Sequence, residues 1–169
     1  GLYVDREYAY PSQLQRALDN QNYTVKVFNS VLSGETTSGA LARVDWVLKL
    51  NPNIVILEIG VNDAIRGIDL NLTRNNIQLI VQKLKESNIT VILAGMVVFE
   101  NLGSEYVEGF ESMYGEIARS ENVTLIPNFL AGVAGNSSLN NPDEIHPTAM
   151  GYEIVVRDNV LPYIKQVLN

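Results

Sequence analysis

Residues 54–63 read Ile54-Val55-Ile56-Leu57-Glu58-Ile59-Gly60-Val61-Asn62-Asp63. The first four form an unbroken apolar run, bounded upstream by Asn51-Pro52-Asn53. A short apolar run between turn residues is the pattern of a strand buried on both faces of a parallel sheet. It ends at Gly60, and an amide and a carboxylate follow almost at once. In open parallel α/β sheets, ligands sit in the crevice beyond the carboxyl ends of the strands. The stretch therefore predicts a central strand that delivers Asn62 to a site. The competing reading is local, since Asn and Asp also favour turns and helix caps. This stretch alone does not separate the two.

Moving outward, strand and helix patterns alternate. Downstream, Ile77, Ile80, Val81 and Leu84 mark a helix over about residues 72–87, and residues 90–95 read as a second buried strand. A long loop follows at residues 96–104 with Val97, Val98, Phe99 and Leu102. The next helix carries Tyr106, Phe110, Met113, Tyr114 and Ile117 on one face. Packing alone predicts such a stripe, so it reads as core and not as a ligand box. A short strand at residues 123–127, an irregular segment at 128–142 and a closing helix at about 148–167 complete the chain.

Upstream, Pro11 opens a helix with Leu14, Ala17 and Leu18 on one face. Residues 24–28, Thr-Val-Lys-Val-Phe, alternate like a short strand. A polar loop then leads to a helix with Leu41, Val44, Val47 and Leu48, which Thr36 or Thr37 would cap. Strands alternating with helices predict a three-layer α/β/α sandwich with a parallel sheet, one domain over residues 1–169. The count is uneven, because a helix comes before any strand.

Composition narrows the chemistry. The chain has 169 residues, 46% of them hydrophobic, which suits one well-packed core and argues against disorder. It has no cysteine, which excludes disulfides, thiolate metal sites and a cysteine nucleophile. A net charge of -7 offers no electrostatic footprint for nucleic acid or an anionic membrane. No apolar run approaches the roughly 20 residues needed to span a bilayer. Sequons begin at Asn22, Asn71, Asn88, Asn122 and Asn136; in an Asn-rich chain they read as chance unless the source glycosylates.

The only histidine, His146, precedes Pro147, which suits the first turn of the closing helix. Asp143 lies three residues earlier, close enough in one turn to fix the imidazole tautomer and stabilise its cation. The competing reading is an Asp that caps a turn beside an incidental histidine. With no second histidine and no cysteine, no zinc site is expected. Gly34 lies in the loop between residues 24–28 and the next helix, where a bare backbone approaches a ligand and its N–H serves an oxyanion. Thr36 and Thr37 beside it match neither phosphate-loop nor dinucleotide fingerprints, and no cofactor is expected. Taken together, Gly34, Asn62 and the Asp143–His146 pair all follow strand patterns. A backbone N–H, an amide and an oriented imidazole are what ester or thioester cleavage by an activated serine requires. The serine itself is missing from this set.

Three stretches resemble blocks of the SGNH (GDSL-type) hydrolases. They are Ser33-Gly34-Glu35-Thr36-Thr37-Ser38-Gly39-Ala40-Leu41-Ala42-Arg43, Leu57-Glu58-Ile59-Gly60-Val61-Asn62-Asp63-Ala64-Ile65-Arg66-Gly67 and Asp143-Glu144-Ile145-His146-Pro147. The likeness is greatest to the branch of bacterial lysophospholipase/thioesterase I and related arylesterases. Leu93-Ala94-Gly95-Met96 and Pro127-Asn128-Phe129-Leu130 also look like that branch, so the resemblance spans nearly the whole chain. It implies that Gly34 and Asn62 are oxyanion-hole donors, His146 the general base and Asp143 its orienting partner. It also implies a small-molecule ester or thioester substrate and favours a bacterial periplasmic or secreted location.

The family's first block, Gly-Asp-Ser with a glycine a few residues on, does not occur here; Gly1 would be that last glycine. Ser33 is the nearest substitute by position, but the family geometry does not bring it within reach of the base. Sheets of this type have the flavodoxin-like order 2-1-3-4-5, so the missing first strand would be an interior one. Its absence would leave the edges of residues 24–28 and 54–59 unpaired. The expectation is a fragment of a longer polypeptide, with the Gly-Asp-Ser segment cut away, omitted from this sequence or supplied as a separate chain. Two other classes compete with the hydrolase. A degenerate relative that binds an acyl or carbohydrate ligand without cleaving it has no need of both base and orienter. A flavodoxin-like or receiver-like module needs a phosphate loop or an acidic cluster after the first strand, and neither occurs.

Overall fold

The structure, a computed structural model, describes residues 3–98 and 100–168; Gly1 and Phe99 lie outside the described residues. In chain order the helices are α1 (Tyr10–Asp19), α2 (Thr37–Leu48), α3 (Val61–Ile65), α4 (Leu70–Glu86), α5 (Ser104–Glu121), α6 (Ala149–Ile154) and α7 (Leu161–Leu168). The strands are β1 (Ile54–Glu58), β2 (Thr90–Ala94) and β3 (Thr124–Ile126). Two compact units emerge: Gly34–Asn128, and Gly1–Ser33 together with Phe129–Asn169.

The first unit holds the sheet. Its three strands are parallel in the order β1-β2-β3, with Ile54 opposite Thr90 and Ile92 opposite Thr124. The middle strand behaves as its composition predicts: Val91, Ile92, Leu93 and Ala94 are all buried. The sequence predicts the same for β1, and here the structure differs. Ile54, Val55, Ile56 and Leu57 are only half-buried, because among the described residues β1 pairs on one side alone and ends the sheet. Helices α2, α4 and α5 pack in succession, with α4 and α5 against β2. The inward stripe of α4 (Ile77, Ile80, Val81, Leu84) and that of α5 (Phe110, Met113, Tyr114, Ile117) are buried as their spacing predicts. Across the outer faces, Arg74 pairs with Glu116, and Gln78 and Gln82 both donate to Glu121.

The second unit is helical. Pro11 lies at the start of α1, whose buried side includes Leu14 and Leu18. Residues 24–28, read from sequence as a strand, are extended and alternate in exposure, but they join no sheet. Gln15 of α1 takes the place of a neighbouring strand: its amide donates to the Val25 carbonyl at 3.0 Å and accepts from Val27 N–H at 2.6 Å. The backbones of Thr24, Lys26 and Phe28 have no hydrogen bond among the described residues. The closing helix is interrupted by a π-helical turn at Val155–Val160. There Asn159 Nδ2 donates to the carbonyls of Phe129 and Ala131, both at 2.9 Å. No helix among the described residues is long and apolar enough to cross a membrane.

Candidate active site

Asn62 sits in the first turn of α3, a five-residue helix too short to show periodicity in sequence. Gly60 makes the turn into it with φ 118°, a conformation that L side chains rarely adopt. Space gives a second reason for glycine, because a Cβ at Gly60 would lie 2.6 Å from the Tyr114 hydroxyl. That hydroxyl donates to the Ile59 carbonyl at 2.8 Å, which fixes the end of the β1 extension just before Asn62. Burial, then the charges of Glu58 and Asp63, hold the Tyr114 phenol well above its ordinary pKa, so it stays a donor. The side-chain amide of Asn62 is half-buried and makes no hydrogen bond among the described residues.

Gly34, with φ 75°, is exposed, and its N–H is likewise uncommitted among the described residues. Its carbonyl accepts from Arg66 Nη2 at 2.8 Å. Arg66 follows Asn62 by four residues, so the Gly34 peptide is tied to the segment that carries Asn62. Asp63 is wholly buried. Its carboxylate accepts from Thr37 N–H at 2.8 Å and from the Thr37 hydroxyl at 2.5 Å, with Thr73 Oγ1 at 3.4 Å. Asn76 Nδ2 completes the cluster by donating to Thr37 Oγ1 and Ser38 Oγ. Of the two candidate caps, Thr36 caps α2, accepting from Gly39 N–H, while Thr37 turns inward to Asp63.

Asp143 and His146 meet in the helical unit. Asp143 Oδ2 lies 2.7 Å from His146 Nδ1. Its Oδ1 accepts from the backbone N–H groups of Ile145 and His146 at 3.1 and 3.0 Å. The His146 N–H bond is the largest cause holding the Asp143 carboxyl below its ordinary pKa; the ring contact and Ile145 N–H add to it. An ionised carboxylate requires Nδ1 to carry a proton, which in the neutral imidazole leaves the Nε2 lone pair free. Nε2 has no partner among the described residues. The turn is held from both ends: Asn141 N–H and side chain donate to the His146 carbonyl, and Thr148 N–H to that of Leu139. Pro147 pairs with Asn140 in an isolated antiparallel bridge, and Thr148 caps α6, so the proline precedes the helix instead of opening it. The Tyr3 ring stands edge-on to the imidazole, centroids 6.1 Å apart.

Of the four residues singled out in the sequence, Asp143 and His146 touch in the helical unit, while Gly34 and Asn62 lie in the sheet unit and are linked through Arg66. Asp63 and Arg66 were not read from sequence. Next to Asn62, an Asp looks like a cap and an Arg like a surface charge, and only their partners show otherwise.

The GDSL-like lipase/acylhydrolase family profile matches residues 1–154. Esterase TesA of Pseudomonas aeruginosa is 33% identical over 168 residues, 99% of this chain and 83% of that protein. Thioesterase 1/protease 1/lysophospholipase L1 of Escherichia coli K12 is 30% identical over 87% of this chain and 70% of its own length. Among solved structures, TesA superposes with a TM-score of 0.93 at 32% identity, covering 98% of this chain and 92% of that one. The psychrotrophic esterase EstA from Pseudoalteromonas sp., inhibited by monoethylphosphonate, gives 0.90 at 30% identity, covering 98% and 90%. Fold and relatives define a class, the carboxylic ester hydrolases built as an α/β/α sandwich around a parallel sheet. Within it, the chain belongs to the GDSL-like lipase/acylhydrolase family.

Proposed function

We propose that the protein cleaves carboxylic esters or thioesters through a Ser-His-Asp triad, as one SGNH-hydrolase domain whose serine lies in a preceding Gly-Asp-Ser segment. The observation that carries the reading is the 2.7 Å contact between Asp143 and His146 Nδ1, which leaves Nε2 as an acceptor. His146 Nε2 takes the serine proton as the oxygen attacks the acyl carbon, and Asp143 stabilises the imidazolium formed. The tetrahedral oxyanion is held by Gly34 N–H and the Asn62 amide, both uncommitted among the described residues. His146 then returns the proton to the leaving alcohol or thiol, and water releases the acyl group by the same steps. The loop at residues 96–104, with Val97 and Leu102 exposed, lines the acyl side of the substrate. The half-buried open edge of β1 and the sheet-less extended residues 24–28 support a further strand in the intact polypeptide.

The test uses the complete polypeptide, a fluorophosphonate probe and an aryl ester. The serine of the Gly-Asp-Ser segment should take the label. His146→Ala should lose labelling and nearly all turnover, and Asn62→Ala should cut kcat about 10²–10³-fold. Turnover retained in His146→Ala, or label on a different serine, would sink the triad.

A further inference from the structure

Resting on that reading, we propose that Asp63 and Arg66 are positioning residues that lock the two oxyanion donors into one register. Asn62 lies directly before Asp63 and four residues before Arg66. Each neighbour grips the backbone of the Gly34 loop at a different point. Arg66 takes the Gly34 carbonyl at 2.8 Å, so the donor's own residue is tethered. Asp63 takes Thr37 N–H at 2.8 Å and its hydroxyl at 2.5 Å, anchoring the loop three residues further on, where α2 begins. A glycine in the left-handed region, exposed and without a side chain, has many alternative conformations, so its N–H direction must be set from outside. Preorganised donors are effective because they need no reorganisation when the oxyanion forms.

The two anchors differ in kind. Asp63 is wholly buried, and its other contact, Thr73 Oγ1, comes from α4, so it joins α2, α3 and α4. Arg66 is exposed, and among the described residues its guanidinium makes one hydrogen bond, the one to Gly34. It can therefore be removed without opening the core. Losing a hydrogen bond from a charged donor that positions a transition-state contact lowers the rate about tenfold to a hundredfold.

The experiment is a double-mutant cycle on the complete polypeptide with an aryl ester. Arg66→Met should lower kcat about tenfold, leave KM within about twofold and leave Tm unchanged; Arg66→Lys, which keeps a donor, should recover part of the loss. In an Asn62→Ala background the Arg66→Met loss should shrink clearly, because only the aim of the Gly34 N–H, and no longer its register with a second donor, is left to lose. Asp63→Asn should show the same dependence on Asn62 if it folds; Arg66 carries the test if it does not. An Arg66→Met enzyme with unchanged kcat, a loss confined to KM, or an equal loss in both backgrounds overturns the proposal while leaving the oxyanion hole intact. An Asn62→Ala enzyme with full kcat overturns the hole itself, and the positioning role with it.

Discussion

At Asp143 the two sequence readings, a turn cap and an orienter of the imidazole, coincide in one arrangement. Its Oδ1 caps the turn through Ile145 and His146 N–H, and its Oδ2 holds the imidazole. An Asp-x-x-His turn was thus legible as a motif, while the double duty needed coordinates. The same contacts set a pH dependence. They hold the folded carboxyl below its ordinary value of 3.8, so the unfolded chain takes up a proton first as pH falls. Asp143 therefore contributes stability in full above that ordinary value and loses it as pH drops through the lowered one. Asp143→Asn keeps an acceptor oxygen but not the charge. Acid unfolding should show a gap between variant and parent that persists from neutrality to about pH 4 and closes only below it. A gap that closes well above that pH would mean the carboxylate is not held by these bonds.

Helix ends show how much of an element depends on chemistry that periodicity cannot reveal. Asn22, Asn51, Asn88 and Asn122 all have positive φ, between 49° and 61°, and each follows the end of a helix. Asn22, Asn88 and Asn122 close the pattern fully: Tyr23 N–H reaches back to Leu18, Ile89 N–H to Leu84 and Val123 N–H to Ala118. In sequence Asn22, Asn88 and Asn122 appeared only as parts of sequons, and Asn51 as a turn residue before the strand. Three of those sequons, at Asn22, Asn88 and Asn122, arise because a left-handed Asn ends a helix and a Thr two residues on starts an extended segment or strand. Asn122→Ala should lower stability by about 1 kcal/mol, whereas Asn122→Gly should be neutral or stabilising. Equal losses in chemical denaturation would show that the side chain and not the backbone conformation matters. The long helices α4 and α5 and the strand β2 were legible because a buried stripe or run repeats often enough to be seen. The strand pattern of residues 24–28 was legible too, but strand formation needs a partner, and Gln15 supplies only two hydrogen bonds.

At the scale of the molecule, the uneven element count and the burial pattern concern the same surfaces. Ile54, Val55, Ile56 and Leu57 have the composition of an interior strand with the exposure of an end strand. Phe28, Val31 and Leu32 are 53%, 60% and 56% exposed, three large apolar side chains left to solvent. Full burial of one Val, Leu or Ile side chain is worth about 1.5–3 kcal/mol, so covering several of these surfaces is worth more than any single contact described above. Under the proposed reading, the preceding segment that carries the serine would also carry a strand, which would offer these unpaired edges a ladder partner. Hydrogen exchange should therefore slow in peptides covering residues 24–28 and 54–58 when the complete polypeptide is compared with Gly1–Asn169 alone. The amides of β2, already paired on both sides, should change much less. Tm should rise in parallel. Equal exchange at both segments, in a polypeptide that labels at the Gly-Asp-Ser serine, would mean that the nucleophile arrives on a loop. The open edge of β1 would then be native to this fold.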